Sequence, residues 1–195
     1  MKIKTKLTIF TVALATLIML GATMAYFSAA QALHNPMITK GSDVYLQEVF
    51  NEKDKWLPGE TKEKVVRFGN KGDTAQVIRF KADTEWFLGD GTTAWTPATP
   101  NPVEIHWTTY LSSEWTLIGG WYYYNKPLLP GQQTNEVMDW VKFSNLISNG
   151  GPGAEDFSDK IFRLTINMES LDVSAIITNA EWGRAFTGTN TLAWS

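Results

Sequence analysis

The chain has 195 residues, contains no cysteine, and carries 17 basic against 20 acidic residues, which gives a net charge of −3. A weakly acidic chain without a basic block argues against nucleic acid as a partner, and the absence of cysteine excludes disulfides and thiolate zinc sites. The length predicts one domain plus a targeting segment.

Residues 1–25 have the pattern of an export signal. Lys2, Lys4 and Lys6 form a positive start, an apolar run follows, and small residues precede a predicted cleavage between Ala25 and Tyr26. A retained membrane anchor is the alternative, because no charged residue lies between Lys6 and Lys40 and the apolar run approaches the ~20 residues that span a bilayer. Both interpretations place the remaining chain outside the cytoplasmic membrane, and we prefer secretion, with membrane contact only through the signal segment.

Residues 26–40 have weak intrinsic preferences. Their alanines favour a helix, Pro36 would end one, and no clean alternation indicates a strand. The pattern leaves two interpretations open: a segment that a partner orders, and a loose mature terminus.

The stretch 56–82 carries the clearest local pattern. Pro58 and Gly59 form a turn pair, residues 64–68 are rich in β-branched and aromatic side chains, and residues 69–73 are turn formers. Residues 76–82 then alternate, with Ile78, Phe80 and Ala82 on one face. This pattern favours a β-hairpin with one buried face.

Further short strands are predicted at near-regular spacing. They are expected at residues 43–50, 103–110, 115–118, 121–124, 136–143 and 160–168. Gly119-Gly120 is expected to form a two-residue hairpin loop, residues 84–101 a surface loop, and residues 146–159 a loop with a helical turn at 154–157; residues 171–178 continue the last strand or form another.

Eight or nine strands with no amphipathic helix predict an all-β domain over residues 41–178, a β-sandwich of jelly-roll or immunoglobulin-like type. Residues 179–195 are left as a C-terminal extension without an assigned role.

Aromatic residues form the first candidate site. Trp121, Tyr122, Tyr123 and Tyr124 are consecutive, so alternation sends at least one ring outward. Aromatic rings of this kind fill cores, anchor protein interfaces or stack on sugars. We interpret them as core and interface residues, with a carbohydrate platform as the alternative.

Charged residues form the second candidate. Glu155, Asp156 and Asp159 in a glycine-rich loop could bind Ca²⁺ through oxygen ligands, although solvated loop charges explain them as well. His106 has no second histidine at ligand spacing and is expected to be a partly exposed strand residue. No catalytic triad or acid/base pair is recognisable, so we predict no enzyme activity, no metal site and no cofactor.

The leader and the predicted hairpin together resemble the TasA/camelysin family of SipW-dependent biofilm matrix proteins. The matching features are the leader end at residues 21–28, the turn Trp56-x-Pro58-Gly59, the segment from Val65 through Asn70 and Gly72 to Arg79, and the late strand at residues 162–170. The likeness covers most of residues 1–178 and excludes the C-terminal tail.

This resemblance implies a jelly-roll subunit that a dedicated signal peptidase exports and that polymerises with identical subunits, head to tail, into extracellular fibres or pili. In the family and in similar archaeal bundling pili, the freed N-terminal segment inserts as a strand into the neighbouring subunit. The corresponding donor strand here lies within residues 26–40, with the following candidate residues: Tyr26, Phe27, Ala29, Leu33, Met37 and Ile38. Camelysins are catalogued as metalloproteases, but this chain has no zinc-binding motif, so that activity is not expected.

Overall fold

The computed structural model describes residues 28–29, 44–49, 57–151, 154–173 and 182. Over these residues the chain is an all-β sandwich, which confirms the predicted fold class. Its strands are β1 (Ser28–Ala29), β2 (Val44–Val49), β3 (Thr61–Asn70), β4 (Gln76–Phe87), β5 (Ala94–Trp95), β6 (Val103–Trp107), β7 (Trp115–Ile118), β8 (Trp121–Tyr124), β9 (Met138–Phe143), β10 (Asn149–Gly151), β11 (Ala154–Asp156) and β12 (Ile161–Asp172). One short helix, α1 (Thr109–Glu114), lies between β6 and β7.

Two main sheets make up the sandwich. The six-stranded sheet has the order β1-β12-β4-β8-β7, with β5 paired to the end of β4, and the four-stranded sheet has the order β2-β3-β9-β6. All the pairings in these two sheets are antiparallel except that of β1 with β12, which is parallel. Strands β10 and β11 form a small separate hairpin.

The core lies between the two sheets and is rich in aromatic rings. Phe68 of β3 meets Phe80 of β4 with ring centroids 5.0 Å apart, and Phe80 also packs edge-on against Trp115 at 5.0 Å. Along β12 every second side chain from Phe162 to Met168 is buried. The period-2 pattern that predicted the strands therefore also fixes which face of each strand is buried.

The predicted hairpin between β3 and β4 is wrong. The two strands lie in different sheets, so the turn-forming residues between them carry the chain across the sandwich. Asn70, which is 1 % exposed, organises this crossing. Its side-chain amide donates hydrogen bonds to the carbonyls of Thr74 and Leu128 at 2.8 Å, and its side-chain oxygen accepts one from the Gly72 amide.

Three smaller expectations also need correction. The strand predicted at residues 103–110 ends at Trp107, and the next residues form helix α1, which is too short to show a helical period in the sequence. The helical turn expected at residues 154–157 is instead strand β11. The loop predicted at residues 84–101 is shorter than expected, because β4 extends through Phe87 and the two-residue strand β5 lies within the remaining loop.

The Gly119-Gly120 hairpin is confirmed, with both glycines at positive φ between β7 and β8.

No helix among the described residues is long and apolar enough to cross a membrane.

Candidate functional site

Strand β12 is the outermost long strand of the six-stranded sheet. It pairs with β4 along its whole length, from Ile161 beside Phe87 to Asp172 beside Gln76. Phe162, Leu164 and Ile166 face the core and anchor it. The alternating positions, such as Arg163 and Thr165, lie on the opposite face and are partly exposed.

The other side of β12 has a partner only at its start. Ser28 lies beside Ile161 and Ala29 beside Phe162, in parallel orientation. Among the described residues no other strand pairs with this side of β12. Within the part of the chain that the structure describes, the backbone from Arg163 to Glu169 is a sheet edge, and an edge of this kind can accept a further strand.

The structure places one residue of the predicted donor strand at this edge. Ala29 belongs to β1, and only its backbone pairing is described. The cleavage-site residues Ala25 and Tyr26 lie outside the described residues, as do four further donor-strand candidates: Phe27, Leu33, Met37 and Ile38.

The aromatic candidates on β8 divide between the two faces of the sheet. Tyr122 stacks on Phe80 at 5.1 Å and Tyr124 packs against Trp115 at 4.9 Å, so both belong to the core side. Tyr123 lies on the outer face but is only 3 % exposed, while Trp121 is half-buried. Burial raises the pKa of Tyr124 to about 12, assisted by the negative charge of Glu114.

The outer-face pair Trp121 and Tyr123 packs around a partly buried arginine, Arg79. The guanidinium carbon of Arg79 lies 4.3 Å from the ring centroid of Trp121, and its Nη1 donates a hydrogen bond of 2.9 Å to the Tyr123 hydroxyl. Its Nε donates to Glu169 at 2.8 Å. Trp182, from the C-terminal extension, contacts the same guanidinium at 4.6 Å and meets Tyr123 edge-on at 5.8 Å.

His106 lies on the outer face of the four-stranded sheet. Its ring stacks on Trp140 at 4.6 Å, and Nδ1 lies 2.6 Å from a carboxylate oxygen of Asp139. Its side chain is 46 % exposed, which confirms the predicted partly exposed strand position.

The carboxylates of the loop at residues 146–159 accept hydrogen bonds from nearby loop residues. Glu155 accepts hydrogen bonds of 2.7 Å from the backbone amides of Ala98 and Thr99. Hydrogen bonds from the side chain and the backbone of Ser158 lower the pKa of Asp156. Among the described residues no group of three or more potential ligands could hold a metal ion.

One buried ion pair was not predicted from the sequence. Lys64 of β3 is 4 % exposed and forms an ion pair with Glu48 of β2. The alternation of side chains along a strand indicates this burial. Lys64 lies on the same face of β3 as the core residues Val66 and Phe68 by this alternation, and Glu48 lies on the same face of β2 as Val44 and Leu46.

Comparison of the chain with family models, with curated proteins and with solved structures finds no match. The arguments for function therefore rest on the site geometry and on the sequence features already described.

Proposed function

We propose that this chain is a secreted structural subunit that polymerises into extracellular fibres, with the N-terminal segment of one copy adding a strand to β12 of the next. The observation that carries the proposal is the parallel pairing of Ser28–Ala29 with Ile161–Phe162. The N-terminal segment and the edge of β12 fit each other within one chain, so the same contact is available between two chains.

Strand addition suits this edge physically. The added strand gains ladder hydrogen bonds of roughly 1 kcal/mol each and apolar contacts with the inner face of the sheet. Because the donor segment and the acceptor edge are different surfaces, the contact is head to tail and generates a filament unless the rotation closes a ring. The resemblance to the TasA/camelysin family supports the same conclusion and suggests a role in biofilm matrix or cell adhesion.

The observed register predicts which side chains of the added strand face the core and which face solvent. Ala29 lies beside the core-facing Phe162, and directly paired residues in a sheet point to the same face. Extending this register along β12 puts Leu33 beside the buried Ile166 and Ala32 beside the outward Thr165. A charge at position 33 would then enter the core, whereas a charge at position 32 would meet solvent.

The test compares two matched lysine substitutions in the chain that begins at Tyr26. Light scattering and electron microscopy should show fibres for the unsubstituted chain and for Ala32→Lys, and loss of fibres for Leu33→Lys, because an unpaired charge in an apolar site is strongly unfavourable. Fibres from both variants, or the reverse pattern, would contradict strand addition in this register. A chain that stays monomeric under all conditions would contradict the fibre function itself.

The alternative, a carbohydrate-binding or adhesion module, gains no support from the described part of β8. Two of its four rings face the core, Tyr123 is covered, and Trp121 stacks with Arg79. Glycan binding that disappears in Trp121→Ala would revive this alternative.

A further inference from the structure

The outer face of the six-stranded sheet carries a second, small apolar cluster, separate from the β12 edge. Val77 of β4 is 0 % exposed although it points away from the main core. Leu171, Val173 and Trp182 pack against it. The face is thus covered locally by residues at and beyond the end of β12.

Trp182 is the distant member of this cluster, and its contacts are specific. It packs on the Arg79 guanidinium at 4.6 Å and edge-on against Tyr123 at 5.8 Å. Arg79 is also held by Glu169 and by Trp121, so its guanidinium has partners besides Trp182. A fixed cation beside aromatic rings and an apolar floor forms a site for an indole ring.

The chain between the cluster and this tryptophan is long enough to reach elsewhere. Trp182 follows Val173 by nine residues, and an extended chain spans at most ~3.3–3.6 Å per residue. That reach, on the order of 30 Å, is comparable to the diameter of a small domain. A tail of this length can serve the site of its own chain or that of an adjacent copy.

We propose that the surface formed by Arg79, Trp121 and Tyr123 is an interaction site for the C-terminal segment of a second copy of this chain, occupied within a single chain by its own Trp182. The exchange replaces each contact by an identical one, which makes it a low-cost route to association. Where copies are held close together, the high effective concentration favours exchange between neighbours. The contact uses the outer face of the sheet and not the open backbone edge of β12.

The test mixes two full-length variants with complementary defects, and both also carry Leu33→Lys so that strand addition at β12 does not join them. Trp182→Ala has an intact site and no indole to fill it, whereas Arg79→Ala has an intact tail and a damaged site. Native mass spectrometry, in which the two variants differ in mass, should detect a species with one copy of each in the mixture. Adding Trp182→Ala to the Arg79→Ala chain should abolish that species.

Two controls keep the result interpretable. Trp140→Ala, which removes a tryptophan from the other sheet, should not replace Trp182→Ala as the tail-defective partner. If circular dichroism shows that Arg79→Ala does not fold, Trp121→Ala takes its place, since it damages the site and retains the Arg79–Glu169 bond. Absence of the mixed species at the highest soluble concentration of folded variants would overturn the proposal, and so would a mixed species that persists without any Trp182. Either failure leaves strand addition at β12 untouched.

Discussion

The buried amine of Lys64 couples the stability of the sandwich to pH. Burial lowers the pKa of Lys64 from 10.5 to about 7, although the neighbouring Glu48 carboxylate favours the charged form. Between about pH 7 and pH 10.5 the Lys64 amine is protonated in the unfolded chain and largely neutral in the folded chain. Because the unfolded state binds more protons, the free energy of unfolding rises with pH across this window.

We expect the urea midpoint of the wild-type chain to increase from pH 7 to pH 9.5 and the Lys64→Met variant to lose most of that increase. Measurement stops below pH 10 because the raised pKa of Tyr124 acts in the opposite direction above its ordinary value of 10.0. Lys126→Met, which changes a lysine with a 52 % exposed side chain, is the matched control and should retain the slope. A parallel slope in the wild type and Lys64→Met would show that burial of this amine is not the cause.

At the scale of elements, the contact between β2 and β3 depends on a glycine. The ring of Tyr45 on β2 lies directly over Gly69 on β3, so a Cβ atom added at Gly69 would lie 2.4 Å from the ring carbon Cζ. The Tyr45 hydroxyl accepts a hydrogen bond of 2.8 Å from Gln133, which restricts movement of the ring. Tyr45 and Gly69 are direct cross-strand neighbours.

Gly69→Ala should therefore destabilise the fold by about 1–3 kcal/mol, the usual cost of overpacking. In a Tyr45→Ala background the same substitution should cost much less, because the ring that it would meet is gone. Denaturant unfolding of the four proteins of this double-mutant cycle measures the difference. Equal costs in both backgrounds would show that the clash with Tyr45 is not the reason for glycine at this position.

Strands were predictable from sequence more reliably than their partners. Alternation at Ile78, Phe80 and Ala82 identified β4, but a hairpin and a crossing between sheets produce the same alternation. The turn residues after Asn70 therefore could not decide between them. The alternating pattern of residues 160–168 predicted β12 as a strand. The packing of Trp182 on Arg79 joins residues far apart in the chain, and no local sequence pattern indicates such a contact.

At the scale of the whole molecule, the long strands do not need the N-terminal segment. Among the described residues, every strand of the two main sheets except β1 begins at Val44 or later. A chain that begins at Thr39, and so lacks residues 1–38, should consequently remain folded by circular dichroism and fail to form fibres. The deleted apolar side chains would each have gained ~1.5–3 kcal/mol on burial in a neighbour.

Adding residues 26–38 back as a peptide should raise the melting temperature of the shortened chain, since the peptide binds the folded state only. A scrambled peptide of the same composition is the control. Fibre formation by the shortened chain as efficient as that of the intact chain would show that this segment is not the donor.

The parallel pairing on β12 has a mechanical consequence for the proposed fibre. If the filament is pulled along the direction of the donated strand, the force acts lengthwise on a parallel ladder whose hydrogen bonds are evenly spaced and slanted. The bonds of the ladder would then share the force in shear instead of opening one after another, as they do when a strand is peeled away from its end. Since β12 is itself paired with β4 over all 12 of its residues, the tension would pass directly into the longest ladder of the sandwich.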